Sequence, residues 1–231
     1  MSGLSKKRKA TTGLYDRNKT YLLEEALDIL KKTPKAKFDE TVELSINLSL
    51  NTKDTSQVIR GTAILPHGTG KNIRTLVFCK QEDEQKAKDA GADFAGSDEL
   101  INKVAGGWCD FDVAIATTNI MREIAKLGRV LGPRGLMPNP KTGTVTDDIA
   151  KTIKDVKAGK MEFKMDKQGG IHAGVGKISF PKDALSENIK QLINAIFSSN
   201  PSLNKPQIVK SMVLATTMGP GLKLDPTEFR K

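Results

Sequence analysis

The chain has 231 residues, of which 37 are lysine or arginine and 27 are aspartate or glutamate, so its formal net charge is +10. This surplus favours polyanionic partners, although a soluble basic protein without such a partner would share it. No apolar run approaches the roughly 20 residues that span a bilayer, and no apolar stretch follows the basic start from Met1 to Lys9, so we expect neither a membrane segment nor a secretory signal.

The first predicted element is a helix from Tyr21 to Leu30, because its apolar residues recur at helical spacing. Thr20 or Asn18 is expected to cap its start, and Pro34 follows its end. A strand comes next, in which apolar and polar residues alternate strictly, as in a strand with one face in water. Its apolar positions are Val42, Leu44, Ile46, Leu48 and Leu50.

From residue 68 to residue 159, short apolar strands alternate with helices, which predicts a parallel, doubly wound α/β unit. The predicted strands are Leu76–Cys79, Ala92–Ala95 and Phe111–Ala116. The predicted helices are Glu82–Ala90, a short one that Asp98 caps, one that Asn119 caps, and one that starts at Asp147 and Asp148 and ends near Gly159.

After residue 160 the pattern changes again. Met161–Met165 and Ile171–Phe180 flank Lys167–Gly170 and predict an antiparallel hairpin. A helix starting at Asp183 and a final strand from Gln207 to Thr216 follow. Because neither end of the chain can bury its own core, we expect both ends to form one two-layer α+β domain with an antiparallel sheet.

The predicted organisation is therefore a split domain of residues 1–67 and 160–231, with an α/β domain of residues 68–159 inserted. Two chain crossings at one place would form a hinge. The two outer segments carry net charges of +4 and +5, and the inserted segment carries only +1. We therefore expect a polyanion to bind the split domain first.

Motifs for catalysis or cofactors are absent or incomplete. Gly68-Thr69-Gly70-Lys71 lacks the spacing of a phosphate loop, and Gly174-Val175-Gly176 lacks the third glycine of a dinucleotide fingerprint. The two histidines, and the cysteines Cys79 and Cys109, are isolated, which predicts reduced thiols in the cytoplasm and neither a disulfide nor a metal site. We expect no enzyme and no cofactor; the alternative of a nucleotide-dependent enzyme has only the α/β pattern in its favour.

Three stretches have the composition of a contact surface. The predicted hairpin combines lysines, which can neutralise phosphates, with Phe163 and Phe180, which can stack on bases. The alternative is that both rings are core residues. Ser211 and the turn from Thr216 to Gly221 offer hydroxyls and backbone amides to an RNA backbone, although an ordinary strand exit is the alternative. The loop Leu131–Lys141 is rich in proline and glycine and would project Arg134 and Lys141, unless it serves packing alone.

These pieces, in this order, resemble one family. Gly70-Lys71 before a buried strand, the Leu131–Lys141 loop, the Asp166–Lys177 stretch and the Thr217–Pro220 turn are similar to the large-subunit ribosomal stalk proteins, first of the large-subunit series. The resemblance covers nearly the whole chain. It implies a split α+β domain with an inserted Rossmann-like domain.

The resemblance also implies partners and site residues. The protein would be monomeric when free and would bind large-subunit rRNA at the mobile stalk, contact deacylated tRNA at the exit site and repress its own operon mRNA; a dedicated mRNA repressor separate from the ribosome is the alternative. Carried over by motif, the RNA face comprises Lys37, Phe38, Asp39, Glu40, Thr41, Lys164, Asp166, Lys167, His172, Lys177, Ser179, Ser211, Thr217, Met218, Gly219 and Pro220. Arg134 and Lys141 would make a secondary contact, and Phe38 fits a stacking or wedge role.

Overall fold

The structure is a computed structural model that describes residues 11–34, 36–49, 59–199 and 208–229. Met1–Lys9, Leu50, Gln207 and the side chain of Lys141 lie outside the described part. The fold is mixed, with parallel and antiparallel strands, which confirms the predicted α/β class at that level. The chain packs as two compact units: unit 1 comprises residues 1–70 and 161–231, and unit 2 comprises residues 71–160.

The described residues form ten strands and seven helices. In chain order the strands are β1 (Thr20–Tyr21), β2 (Thr41–Leu48), β3 (Arg60–Ile64), β4 (Thr75–Phe78), β5 (Phe94–Gly96), β6 (Val113–Ala116), β7 (Lys160–Lys164), β8 (Gly170–Lys177), β9 (Val209–Thr216) and β10 (Leu222–Leu224). The helices are α1 (Leu23–Lys32), α2 (Gln81–Asp89), α3 (Asp98–Ala105), α4 (Met121–Ile124), α5 (Gly128–Leu131), α6 (Ile149–Ala158) and α7 (Lys182–Ser199).

Unit 1 is built on a five-stranded sheet in the order β1-β10-β9-β2-β8. All neighbouring strands are antiparallel except β1 and β10, which are parallel. The alternating apolar residues of β2, namely Val42, Leu44, Ile46 and Leu48, are at most 2% exposed. They belong to the same core as the apolar faces of α1 and α7. This confirms the predicted strand with one buried face and one face in water.

Unit 2 is built on a three-stranded parallel sheet in the order β5-β4-β6. Every residue of β4 is buried, because Leu76 and Phe78 enter one hydrophobic cluster while Val77 enters a second one with Cys79. This confirms the prediction of a strand covered on both faces. The predicted strands and the helices α2 and α3 are present, with bounds shifted by one or two residues.

The predicted hairpin after residue 160 is wrong. Strand β7 pairs with β3 in a separate two-stranded sheet, and β8 pairs with β2. Between the two predicted hairpin arms only one bridge remains, from Met165 to Ile171. Packing explains the change: Phe163 of β7 is buried against Gly61 of β3, where a Cβ atom would come within 2.7 Å of the ring. The glycine therefore makes the room that this strand pair needs.

Helix starts differ from the predicted caps in three places. Neither Thr20 nor Asn18 caps α1; Leu22 precedes it, and the Glu228 carboxylate accepts a hydrogen bond from the Leu23 backbone N–H at 2.9 Å. Asp98 is the first residue of α3 rather than its cap, and Asn119 lies inside a 3-10 turn. Helix α6 begins at Ile149, just after the predicted Asp147 and Asp148: the Asp148 side chain caps it by accepting from the Lys151 N–H. Its end is as predicted, at Gly159 in a left-handed conformation.

Glu228→Ala should destabilise unit 1, because the Leu23 N–H at the start of α1 loses its acceptor. Loss of a cap of this kind costs about 1 kcal/mol. In a domain of this size that corresponds to a fall of about 2–4 °C in melting temperature, measurable by circular dichroism. Glu24→Ala, which removes a carboxylate from the first turn of the same helix, is the control and should cost less. Equal effects of the two variants would contradict the assigned cap.

Candidate nucleic-acid interface

The outer face of the unit 1 sheet is polar and is lined by small side chains. On β2, the residues that alternate with the core positions include Glu43, Ser45 and Asn47. In the sheet register, Ser45 lies between His172 and Val213, Glu43 lies between Gly174 and Ala215, and Asn47 lies between Gly170 and Ser211. Around Glu43 and Asn47 these neighbours are glycine, alanine and serine, which leave a flat surface that a nucleic-acid backbone can approach closely. This face includes His172 and Ser211, which the sequence predicted, and the outward residues of β2, which it did not.

Three distant chain segments meet at one end of this sheet. The Lys177 ammonium group donates to the Asp39 carbonyl at 3.2 Å and to the Thr41 hydroxyl at 3.1 Å. The Ser179 hydroxyl donates to the Asp39 carboxylate at 2.7 Å. On the other side, the Thr41 N–H donates to the Thr217 hydroxyl at 3.0 Å, and the Thr217 N–H donates to the Thr41 carbonyl at 3.1 Å. These hydrogen bonds directly join predicted residues that lie 136 to 176 positions apart in the sequence.

Two of the predicted residues expose large apolar side chains at this end. Phe38 is 54% exposed and Met218 is 69% exposed. Within the described part of the chain, the other exposed large hydrophobic residues are Leu14, Leu22 and Ile64. Exposed apolar groups beside cationic and hydroxyl groups are suited to stack on, or wedge against, unpaired bases.

Glu40 has a different environment from its neighbours, since it is only 4% exposed. Its carboxylate accepts a hydrogen bond from the Ala36 N–H at 2.7 Å and another from the Met218 N–H at 3.2 Å. Lys37 and Asp39 on either side of Phe38 are exposed. Glu40 therefore faces the protein, whereas the three residues before it face solvent.

The turn that follows β7 is organised by Asp166. Its carboxylate accepts hydrogen bonds from the backbone N–H groups of Gly170 at 2.7 Å and Gln168 at 2.8 Å, and these bonds hold the pKa of Asp166 below the ordinary aspartate value. The same carboxylate lies 3.7 Å from Nε2 of His172, whose Nδ1 is 3.0 Å from the Ser45 hydroxyl. Asp166 thus shapes the turn and orients His172 on the outer face.

The remaining predicted residues of the face lie around this turn and the last long strand. Lys164 and Lys167 are exposed, on β7 and in the turn. Gly219 donates its N–H to the Thr216 carbonyl at 3.1 Å, and a Cβ atom there would collide with the Thr216 hydroxyl. Pro220 is half-buried beside it. Of the two aromatic rings, Phe163 is a core residue and Phe180 is half-buried, so the core alternative holds for Phe163.

In unit 2, Arg134 is exposed in the proline-rich loop. Leu136 and Met137 of that loop are half-buried against the cluster that contains Leu131, so these apolar residues serve packing. Nearby in sequence, Arg122, Lys126 and Arg129 are exposed at helical spacing, and none of them takes part in the ion pairs found among the described residues. These three residues were not among the predicted site residues, although their spacing is visible in the sequence.

The other candidate motifs have structural roles. Gly68 and Gly70 adopt left-handed conformations in a turn, and Asn188 holds that turn by donating to the Gly68 carbonyl at 3.0 Å. Both cysteines are free, and burial raises the pKa of the Cys79 thiol. Within the described ranges, no group of three or more potential metal ligands occurs, and no helix is long and apolar enough to cross a membrane.

Unit 1 of this mixed α/β protein thus carries an outer face whose polar, cationic and exposed apolar groups are suited to nucleic acid. Residues 30–220 match the Ribosomal protein L1p/L10e family, and the chain belongs to this family. The resemblance seen in the sequence is thereby confirmed, and with it the prediction that the chain is not an enzyme.

Three relatives show how far the similarity extends. The large ribosomal subunit protein uL1 of Protochlamydia amoebophila (strain UWE25) is 53% identical over 210 residues, covering 91% of this chain and 89% of that protein. The protein of the same name from Chlamydia abortus (strain DSM 27085 / S26/3) is 52% identical, with 93% of each chain covered. That of Kosmotoga olearia (strain ATCC BAA-1733 / DSM 21960 / TBF 19.5.1) is 52% identical, with 92% of each chain covered.

Asp166 should titrate below the ordinary aspartate value, because its ionised form accepts backbone hydrogen bonds. A lowered pKa means that the turn is stabilised above the unfolded-state pKa and loses this stabilisation as the pH falls through the folded-state pKa. In an NMR titration, the amide shifts of Gln168 and Gly170 should move with a midpoint below about 3.9. Asp166→Asn should abolish that transition; a midpoint at or above the ordinary value would contradict the assigned bonds.

Proposed function

We propose that this chain is a structural constituent of the large ribosomal subunit in the cytoplasm and binds large-subunit rRNA through the outer face of unit 1. The observation that carries the proposal is the meeting of Lys37–Thr41, Lys177–Ser179 and Thr217–Met218 at one end of the sheet. Their hydrogen bonds preform a surface with exposed Phe38 and Met218 at its edge. The family and the names of the relatives support the same assignment.

We further propose that the two units are domains: a split RNA-binding domain of residues 1–67 and 160–231, and an inserted Rossmann-like domain of residues 68–159. In support, each unit has its own sheet and its own hydrophobic clusters. The outer segments also hold nine of the ten surplus positive charges of the chain. RNA is therefore expected to attach to the split domain, where phosphate neutralisation is strongest.

Each part of the face has a distinct role in this proposal. Exposed Lys37, Lys164 and Lys167 neutralise phosphates, which supplies affinity without sequence preference. The flat region around His172, Ser45 and Ser211 offers hydrogen-bonding groups to ribose 2′-hydroxyls and base edges. Phe38 and Met218 contact unstacked bases, so they select folded RNA with exposed bases over a regular helix.

Met218→Ala should weaken rRNA binding about ten-fold, because it removes a large exposed apolar group from the proposed contact. The fold should be unaffected, since the side chain is 69% exposed. Filter binding with a large-subunit rRNA fragment measures the affinity, and circular dichroism monitors folding. Leu22→Ala removes an exposed apolar residue outside the proposed contact and is the matched control. Unchanged affinity for Met218→Ala would refute the assigned face.

The finer proposal concerns three further activities: binding at the mobile stalk, assistance to release of deacylated tRNA from the exit site, and repression of the operon mRNA. One preformed face can serve rRNA and an mRNA of similar shape, so the two RNAs should compete for it, and Met218→Ala should weaken both. A dedicated mRNA repressor is the alternative. It would separate from large subunits during sedimentation in high salt, whereas a structural constituent would remain with them.

The proposed tRNA contact involves Arg134 and Lys141 of the proline-rich loop, with the basic residues Arg122, Lys126 and Arg129 as additional phosphate contacts. Arg134→Ala should slow release of deacylated tRNA from reconstituted ribosomes about three- to five-fold, because one phosphate contact is lost. The rRNA affinity of the free protein should stay unchanged. Lys88→Ala, in a helix where that lysine pairs with Glu84, is the control. Equal release rates for both variants would refute the contact.

A further inference from the structure

Glu40 is a carboxylate in an unusual position for a protein that binds a polyanion. A buried carboxylate is costly unless hydrogen bonds compensate its lost hydration. The Glu40 carboxylate accepts hydrogen bonds from the backbone N–H groups of Ala36 and Met218. Its own backbone carbonyl accepts from the Ile178 N–H at 2.9 Å. One residue therefore links three separate segments of the RNA face.

The two carboxylate bonds act on the segments that carry the exposed apolar groups. Ala36 begins the short stretch that leads to Phe38, and Met218 lies in the turn after β9. At the end of the sheet, β2 and the residue after β9 are already joined by hydrogen bonds in both directions between Thr41 and Thr217. The contribution of Glu40 thus lies beyond the strands, in the loop and the turn.

We infer that Glu40 is a positioning residue that does not contact RNA but fixes the Phe38 loop and the Met218 turn in the geometry that RNA requires. This inference rests on the proposed RNA-binding function of the face. A site held in its bound geometry loses less conformational freedom on binding, so its affinity is higher. Glu40 does this by accepting hydrogen bonds from a backbone N–H of the loop that precedes Phe38 and from the backbone N–H of Met218.

The sign of the effect separates positioning from simple electrostatics. If Glu40 acted only as a negative charge, its removal would strengthen binding, because repulsion of the RNA phosphates would decrease. Positioning gives the opposite result: Glu40→Ala should weaken rRNA binding about ten-fold. Glu40→Gln should have an intermediate effect, since one acceptor oxygen remains for two N–H donors. Glu162→Ala, an exposed glutamate paired with Arg60, is the control for charge removal and should not weaken binding.

A double-mutant cycle tests whether Glu40 acts through Met218. If the two residues were independent, Glu40→Ala and Met218→Ala together would weaken binding about 100-fold; coupled residues should give a clearly smaller loss. The slope of log affinity against log salt concentration should be unchanged in Glu40→Ala, because the lysine contacts with phosphates remain. Hydrogen exchange of the Ala36 and Met218 amides should accelerate in Glu40→Ala.

The outcomes distinguish this inference from the function on which it rests. Loss of binding in Met218→Ala with unchanged or tighter binding in both Glu40 variants would overturn the positioning role alone. Multiplicative losses in the double mutant would also overturn it. Unchanged binding in Met218→Ala would instead refute the RNA face. If Glu40→Ala does not fold, Glu40→Gln, which keeps the side-chain shape, supplies the same comparison.

Discussion

The RNA face depends on the pairing of β2 with two strands from the far end of the chain. Strand β2 forms an antiparallel ladder with β8 on one side and with β9 on the other. These ladders connect residues about 136 and 176 positions apart, such as Thr41 with Lys177 and Thr41 with Thr217. Without them, the loop with Phe38, the Lys177–Ser179 segment and the Met218 turn would have no common surface. The contacts that we propose at this end of the sheet follow from this three-strand arrangement, whereas Lys164 lies on β7, which pairs with β3.

The sheet also explains why acidic residues belong on a face for a polyanion. Asp39, Glu40 and Asp166 each accept hydrogen bonds from groups in the surrounding loops and turns. A lysine-rich surface alone would attract phosphates but would have little defined geometry. The carboxylates fix the positions of loops and turns, so that cations and apolar groups project from a rigid frame. In the proposed interface, affinity and shape are therefore supplied by different residues.

Much of the fold could be predicted from the sequence, because it is encoded in local periodicity. The buried faces can be read directly from the alternation of β2, the continuous apolar run of β4 and the helical spacing in α7. Short elements were harder: β1 and β10 have two and three residues, too few for a periodic pattern. Strand β7 was assigned to the wrong partner, because Gly61, which admits the Phe163 ring, lies about 100 residues earlier in the chain.

For the site, motif resemblance supplied residue names but not their environments. The burial of Glu40 could not be foreseen, since one of the N–H groups that donate to its carboxylate belongs to Met218, 178 positions away in the sequence. The same holds for Glu228, which caps a helix start 205 residues away. The outward positions of Ser45 and Asn47 could have been predicted from the sequence, because strict alternation places them on the solvent-facing side of β2.

The ladder order of unit 1 has a consequence for biosynthesis. The sheet of unit 2 forms from one continuous stretch of chain, whereas β2 cannot pair with its neighbours until β8 and then β9 have been synthesised. Long-range pairing of this kind is slow, and an unpaired strand with an apolar side is prone to aggregate in the meantime. A nascent chain can therefore complete the proposed RNA face only after β9 has been synthesised, close to the end of translation.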